Sequence, residues 1–180
     1  NSSNIELITI NSSNQTSLTE GLIFSNSINI IIKSFNANNL NSNSFGGLIW
    51  VNDAIKVDIS NVKINNSKTI PDGGGFVFES VSDIKFIQLI CQNIESKLFL
   101  IFDFGFFFIQ GINIDNSKSN SDNLFFFQNF EKSSKSYLNN LVLNNVNCSG
   151  KILIKYESPT DLNIQSMKII SSLGNIMDIS

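Results

Sequence analysis

Residues 73–78 read GGGFVF, and residues 46–51 read GGLIWV. Glycines come before a short apolar run twice, at an offset of 27 residues. Repetition at such a distance signals a stacked architecture, and the rest of the chain carries it on. Further runs of the same kind are LIF at 22–24, LFL at 98–100, LFF at 124–126, ILI at 152–154 and IMD at 176–178. The residues in front of the seven runs are Gly21, Gly47, Gly75, Lys97, Asn123, Lys151 and Asn175. Glycine and asparagine tolerate a left-handed backbone, so the glycine pairs are read as corners leading into a recurring strand.

A second motif precedes each run. It consists of an apolar residue, two spacers, an apolar residue, one spacer, an apolar residue, one spacer, then Asn or Ser. The copies begin at Ile5, Ile32, Ile59, Phe86, Ile109, Leu138 and Ile164, at steps of 27, 27, 27, 23, 29 and 26 residues. They end on Ser12, Asn39, Asn66, Asn93, Asn116, Asn145 and Ser171. A third short strand lies between run and motif, as in INI at 28–30 and IKV at 55–57. Helix signals are nearly absent, and β-branched and aromatic residues hold the apolar positions.

Three strands per turn of this length predict an all-β fold, a right-handed parallel β-helix solenoid of about seven rungs. Residues 1–180 are expected to form a single such domain, an excerpt or repeat unit of a longer or polymerising extracellular protein. Stacking at ~4.8 Å per layer gives a rod on the order of 30–35 Å long. A β-sandwich also has many short strands, but it does not need one strand order repeated seven times.

The repeat resembles the right-handed parallel β-helix superfamily of pectin-lyase-like proteins. More narrowly, it is similar to the repeats of polymorphic outer-membrane and related surface proteins, with their Gly-Gly-Ala-Ile and Phe-x-x-Asn motifs. GGLI at 46–49 and GGGF at 73–76 match the first loosely. FNAN at 35–38 matches the second, and VKIN at 62–65 and LVLN at 141–144 do so loosely. The resemblance implies an extracellular or cell-surface protein with a display or adhesive role rather than an enzyme.

Composition narrows the chemistry. The formal charge is −3, all 12 basic residues are Lys, and there is no His. That predicts neither a nucleic-acid binder nor a site built on arginine forks or imidazole. The apolar stretch LFLIFDFGFFFI at 98–109 is too short for a membrane span and is interrupted by Asp103 and Gly105. Abundant Asn, Ser, Ile, Phe and Lys fit A/T-rich codon usage. NID at 113–115 imitates one element of galacturonan hydrolases, but the acid pair and the basic residues of those enzymes are missing. No catalytic residue, metal site or cofactor is expected. Cys91 reads as an inward residue and Cys148 as a turn residue two rungs on. At ~9–10 Å they are too far apart for a disulfide, which leaves two free thiols or a link from Cys148 to another chain.

Sequons at Asn11, Asn14, Asn65 and Asn147 fall in or beside one turn and are candidate glycosylation sites. The repeated Ser12, Asn39, Asn66, Asn93, Asn116, Asn145 and Ser171 predict a side-chain ladder along the axis. In the seven runs the middle residues are Ile23, Ile49, Val77, Phe99, Phe125, Leu153 and Met177. If the flanking residues fill the bore, these seven face outward as an apolar assembly stripe. Changing Phe99 and Phe125 to Ser would then leave the coil folded.

The sequence is therefore read as a structural subunit of an extracellular fibre or surface layer that self-associates end to end and laterally. One alternative is a surface adhesin module binding carbohydrate or protein. A second is a degenerate polysaccharide-active enzyme.

Overall fold

The structure, a computed structural model, describes residues 3–13, 16–17, 22–42, 47–69, 75–119, 123–129 and 135–179. Strands are the regular elements of these residues, and every pairing between them is parallel. The chain is a parallel β-solenoid. The longest strands, Ile49–Asn65, Phe76–Gln92, Phe106–Lys118 and Ser136–Glu157, each run around more than one face of the coil.

Three faces can be followed. The first comprises 22–25, 49–52, 76–79, 99–102, 125–128 and 154–157. The second follows it around a corner, and the third carries the motif described above. Left-handed residues make the corners. Asn26, Asp53, Ser80 and Asp103 stand between the first and second faces with φ of 50°, 60°, 53° and 48°. Asn61, Gln88, Gly111, Asn140 and Ser166 mark the next corner, and Asn39, Asn66, Asn93, Asn116, Asn145 and Ser171 the third. Short polar side chains hydrogen-bond locally and enter this region at least cost, so much of the Asn content has a structural use.

On the second face Leu7, Ile32, Ile59, Phe86, Ile109, Leu138 and Ile164 stand one over another. The expected column holds except in its first copy, where Ile5 stacks on Ile30 instead. Pairing of 4–7 with 29–32 turns both Ile5 and Leu7 toward the bore and leaves Ile8 66% exposed. Ser12 consequently falls over Ala37 rather than over the asparagines. The coil makes about five turns, fewer than the seven rungs expected.

The first face departs most from expectation. Its bore-facing column is Leu22, Ile49, Phe76, Phe99, Phe125, Ile154 and Met177, and the next is Phe24, Val51, Phe78, Ile101, Phe127, Tyr156 and Ile179. Ile49, Phe99 and Phe125 of the proposed assembly stripe are therefore core. Leu153 is also buried, in a corner column with Leu48, Leu98 and Leu124. That extra buried corner residue shifts the alternation by one in these copies. In the third copy the same position is Gly75, so Val77 does face outward, yet it is 0% exposed. Of the seven stripe residues only Ile23 and Met177 are exposed, at 52% and 39%.

The glycines also act differently from expectation. Gly47 and Gly75 do not have positive φ; among the described glycines only Gly111 does, at 72°. A Cβ on Gly75 would lie 3.3 Å from Leu48 and 3.4 Å from the Leu98 carbonyl, and one on Gly47 would collide with Thr69. Gly47 and Gly75 thus mark close packing, Gly47 against Thr69 and Gly75 against Leu48 and Leu98; Gly46, Gly73 and Gly74 lie outside the described residues. Gly21 lies outside the described residues.

Beyond the third corner a short segment bridges Asn41, Lys68, Glu95 and Lys118 in parallel. Its inward neighbours Ser42, Thr69, Ser96, Ser119 and Cys148 are buried. Thr69 Oγ1 and Ser96 Oγ lie 2.5 Å apart. On the outside Glu95 pairs with Lys68 at 3.0 Å and Lys118 at 3.3 Å.

Candidate ligand groove

The left-handed corner between the first and second faces turns the chain sharply, and two hollows lie beside it. One hollow of about 350 Å³ has Asn26, Ser27, Asp53, Ser80 and Ser82 in its lining. A second, of about 380 Å³, is lined by Asn52, Glu79, Ser80, Phe102, Asp103 and Gln128. Ser80 belongs to both, so the two hollows adjoin at that corner residue. Asp53, Glu79 and Asp103 supply carboxylates, and among the described residues no Lys lines either hollow.

The walls are held from behind. Trp50 Nε1 donates to Glu79 Oε2 at 3.1 Å, one layer further along the coil. Gln128 Nε2 donates to Glu157 Oε2 at 2.7 Å, so its Oε1 remains an acceptor. Glu157 is also paired with Lys155, whose hydrogen bond to it holds the Glu157 carboxyl below the usual range. The Phe102 ring meets Phe126 edge-on at 5.7 Å. Lys97 Nζ and Lys155 Nζ sit 5.5 and 5.6 Å from the centre of the Phe126 ring, which places a basic patch beside the acidic trough.

Backbone groups contribute little to this site. The ladders consume N–H and C=O groups layer by layer, as between Asp103 N and Gln128 O at 3.0 Å. Recognition here falls to side chains: an aromatic ring, three amides, hydroxyls and carboxylates, with Ile28, Ala54 and Ile55 among them. Among the described residues no three His, Cys, Asp or Glu gather in metal-ligand geometry.

The sequence-predicted positions are spread over other parts of the coil. Asn66 Oδ1 accepts from Asn93 Nδ2 at 2.8 Å, and Asn116 Oδ1 from Asn145 Nδ2 at 2.7 Å. Asn116 Nδ2 turns to Asp115 instead, at 3.4 Å, so two stretches of the column are linked separately. Ser171 shares the corner, and Ser12 does not. Asn11 is exposed, and its Oδ1 accepts from Asn36 at 2.8 Å. Asn147 is exposed, whereas Asn65 is half-buried and the Ser67 of its sequon is buried. Asn14 lies outside the described residues.

Both cysteines are buried and free. Burial pushes the Cys91 thiol far above its usual range and Cys148 up to about 12, partly opposed by a hydrogen bond with the Leu124 backbone. A link from Cys148 to another chain is excluded in this fold, because the residue faces inward beside the hydroxyl column.

No groove residue was singled out from the sequence. The signal is a polar pair or near-pair after five of the seven apolar runs: SN at 25–26, ND at 52–53, ES at 79–80, FD at 102–103 and QN at 128–129. Comparison of the chain with protein-family models, curated proteins and solved structures finds no match.

Proposed function

We propose that this chain is a recognition module of an extracellular or cell-surface protein, a rigid coil that binds an extended carbohydrate along its corner groove. The observation that carries this reading is the pair of hollows joined at Ser80 and lined by Phe102, Asn52 and Gln128. Aromatic rings pack on sugar faces, and amides and carboxylates pair with hydroxyls. The groove runs across layers, as a linear polymer would. This reading fits the similarity to pectin-lyase-like coils and to surface-protein repeats, and glycans at Asn11 and Asn147 would be compatible with it.

A purified monomer applied to a panel of linear polysaccharides tests the reading. Binding that is weakened by Phe102→Ala and Gln128→Ala supports it. Absence of binding to every polymer overturns it. Release of reducing ends would move the assignment to an enzyme using Glu79 and Asp103 as its acid pair.

A structural subunit that self-associates remains the second reading, with Ile23, Ile55 and Ile90 exposed along the coil. Filaments of purified protein in electron micrographs would favour it.

A further inference from the structure

We propose that the outer side of the second face is a self-complementary surface, on which a second copy of this chain docks with its coil axis reversed. The contact is independent of the carbohydrate reading above. Along this face bore-facing and outward residues alternate. Phe107 and Ile109 are core, so Phe106, Phe108 and Gln110 point outward. Tyr137 pairs with Phe108 in the next layer, and its ring centre lies 6.2 Å from that of Phe106 and 6.3 Å from that of Phe108. Each of the three rings is half-buried and presents its remaining surface to solvent. Clustered outward aromatic side chains are the composition of an interface core.

Charge identifies the partner. In successive layers one outward column reads Lys56, Asp83, Phe106, Lys135 and Asp161, and its neighbour reads Asp58, Lys85, Phe108, Tyr137 and Asn163. The Lys and Asp of the two columns are equal in number, so a strongly charged partner finds no complement here. Among the described residues Lys56 and Asp83 form no ion pair. Lys85–Asp58 and Lys135–Asp161 are loose, at 3.9 Å each.

A two-fold axis along the strand through Phe106 and Phe108 satisfies the whole pattern. Phe106 and Phe108 then meet their own counterparts. Across the contact Asp83 faces Lys135, Lys56 faces Asp161, Lys85 faces the Tyr137 ring, and Asp58 faces the Asn163 amide. The third outward column, with Ser60, Ile87, Gln110, Asn139 and Gln165, is uncharged and opposes none of this. Other arrangements set like charges together. Moving the axis half a layer one way brings Lys56 onto Lys135, and the other way Asp83 onto Asp161. Moving it a whole layer brings Asp83 onto Asp83 or Lys135 onto Lys135. Parallel coils would set Asp58 against Asp58 and Lys85 against Lys85.

Five layers by five residues cover roughly 24 by 17 Å, the size of a weak contact. Sedimentation equilibrium is therefore run from micromolar to millimolar concentration, and a dimer is expected. Lys56→Glu and Asp161→Lys should each weaken it by about tenfold, since each sets like charges together at two symmetric places. The two substitutions combined should restore the parent affinity, because the exchanged charges again face each other. Phe108→Lys puts like charges on the two-fold axis and should leave a monomer. All these side chains are outward, and circular dichroism with the melting temperature checks that each variant is intact. A parent that stays monomeric throughout, a dimer unaffected by Phe108→Lys, or a double exchange that fails to restore association overturns the proposal.

Discussion

Phe99 and Phe125 stack inside the coil with ring centres 5.6 Å apart and planes 12° from parallel. Phe76 lies next to Phe99 at 5.3 Å, and Phe86 meets both Phe76 and Phe99 edge-on at 5.0 Å. The rings form a continuous aromatic spine between the first and second faces. Phe99→Ala should therefore destabilise the protein by about 3–5 kcal/mol, through lost burial and an unfilled cavity. Phe99→Ser with Phe125→Ser should prevent folding, the reverse of what an outward stripe would predict. Denaturant titration by circular dichroism decides between them; a double variant that melts like the parent would return these rings to the surface.

How well the sequence revealed the fold varies from face to face. The third-face columns Phe35, Val62, Leu89, Ile112, Leu141 and Met167, and Ala37, Ile64, Cys91, Ile114, Leu143 and Ile169, follow the spacing of the motif. An invariant two-residue step fixes which side chains point inward there. On the first face an apolar corner residue such as Leu48 or Leu98 is buried next to the start of the alternation. A two-residue period gives no sign of where the corner ends, and a slip of one residue exchanges inside for outside. The groove was hidden for another reason. Asp53, Ser80 and Asp103 stand far apart in the chain, and only the stacking of successive corners brings them together.

The Gly47–Thr69 contact gives a second prediction. Gly47→Ala would press a methyl group into the Thr69 Cγ2 methyl, an overpacking cost of about 1–3 kcal/mol. Thr69→Ser removes that methyl while keeping a hydroxyl to face Ser96. In the Thr69→Ser background, Gly47→Ala should cost markedly less. A double-mutant cycle measures the coupling; strictly additive costs would show that the glycine is there for some other reason.

Corner conformation can be separated from side-chain bonding at Asn93, which has φ of 55° and donates to Asn66. Asn93→Ala should lose about 1–2 kcal/mol to the left-handed backbone, in addition to the exposed hydrogen bond. Asn93→Gly loses the bond but relieves the strain, so it should be the more stable of the two. The order of their melting temperatures is the measurement, and an alanine variant at least as stable as the glycine one contradicts the strain account.

The thiols give a prediction with a definite sign in pH. Burial raises both above the ordinary thiol range, Cys148 to about 12. Between about pH 8.5, where an unfolded thiol ionises, and the folded value, the folded chain retains protons that the unfolded chain releases. Stability must therefore fall as pH rises through that window. It is fully present below it. Cys91→Ala with Cys148→Ser should flatten the alkaline side of the stability profile, measured by urea titration at successive pH values. At pH 8 a thiol reagent should label neither cysteine in the folded protein and both in urea. Rapid labelling of the folded chain at Cys148 would place that residue at the surface and restore an intermolecular disulfide to consideration.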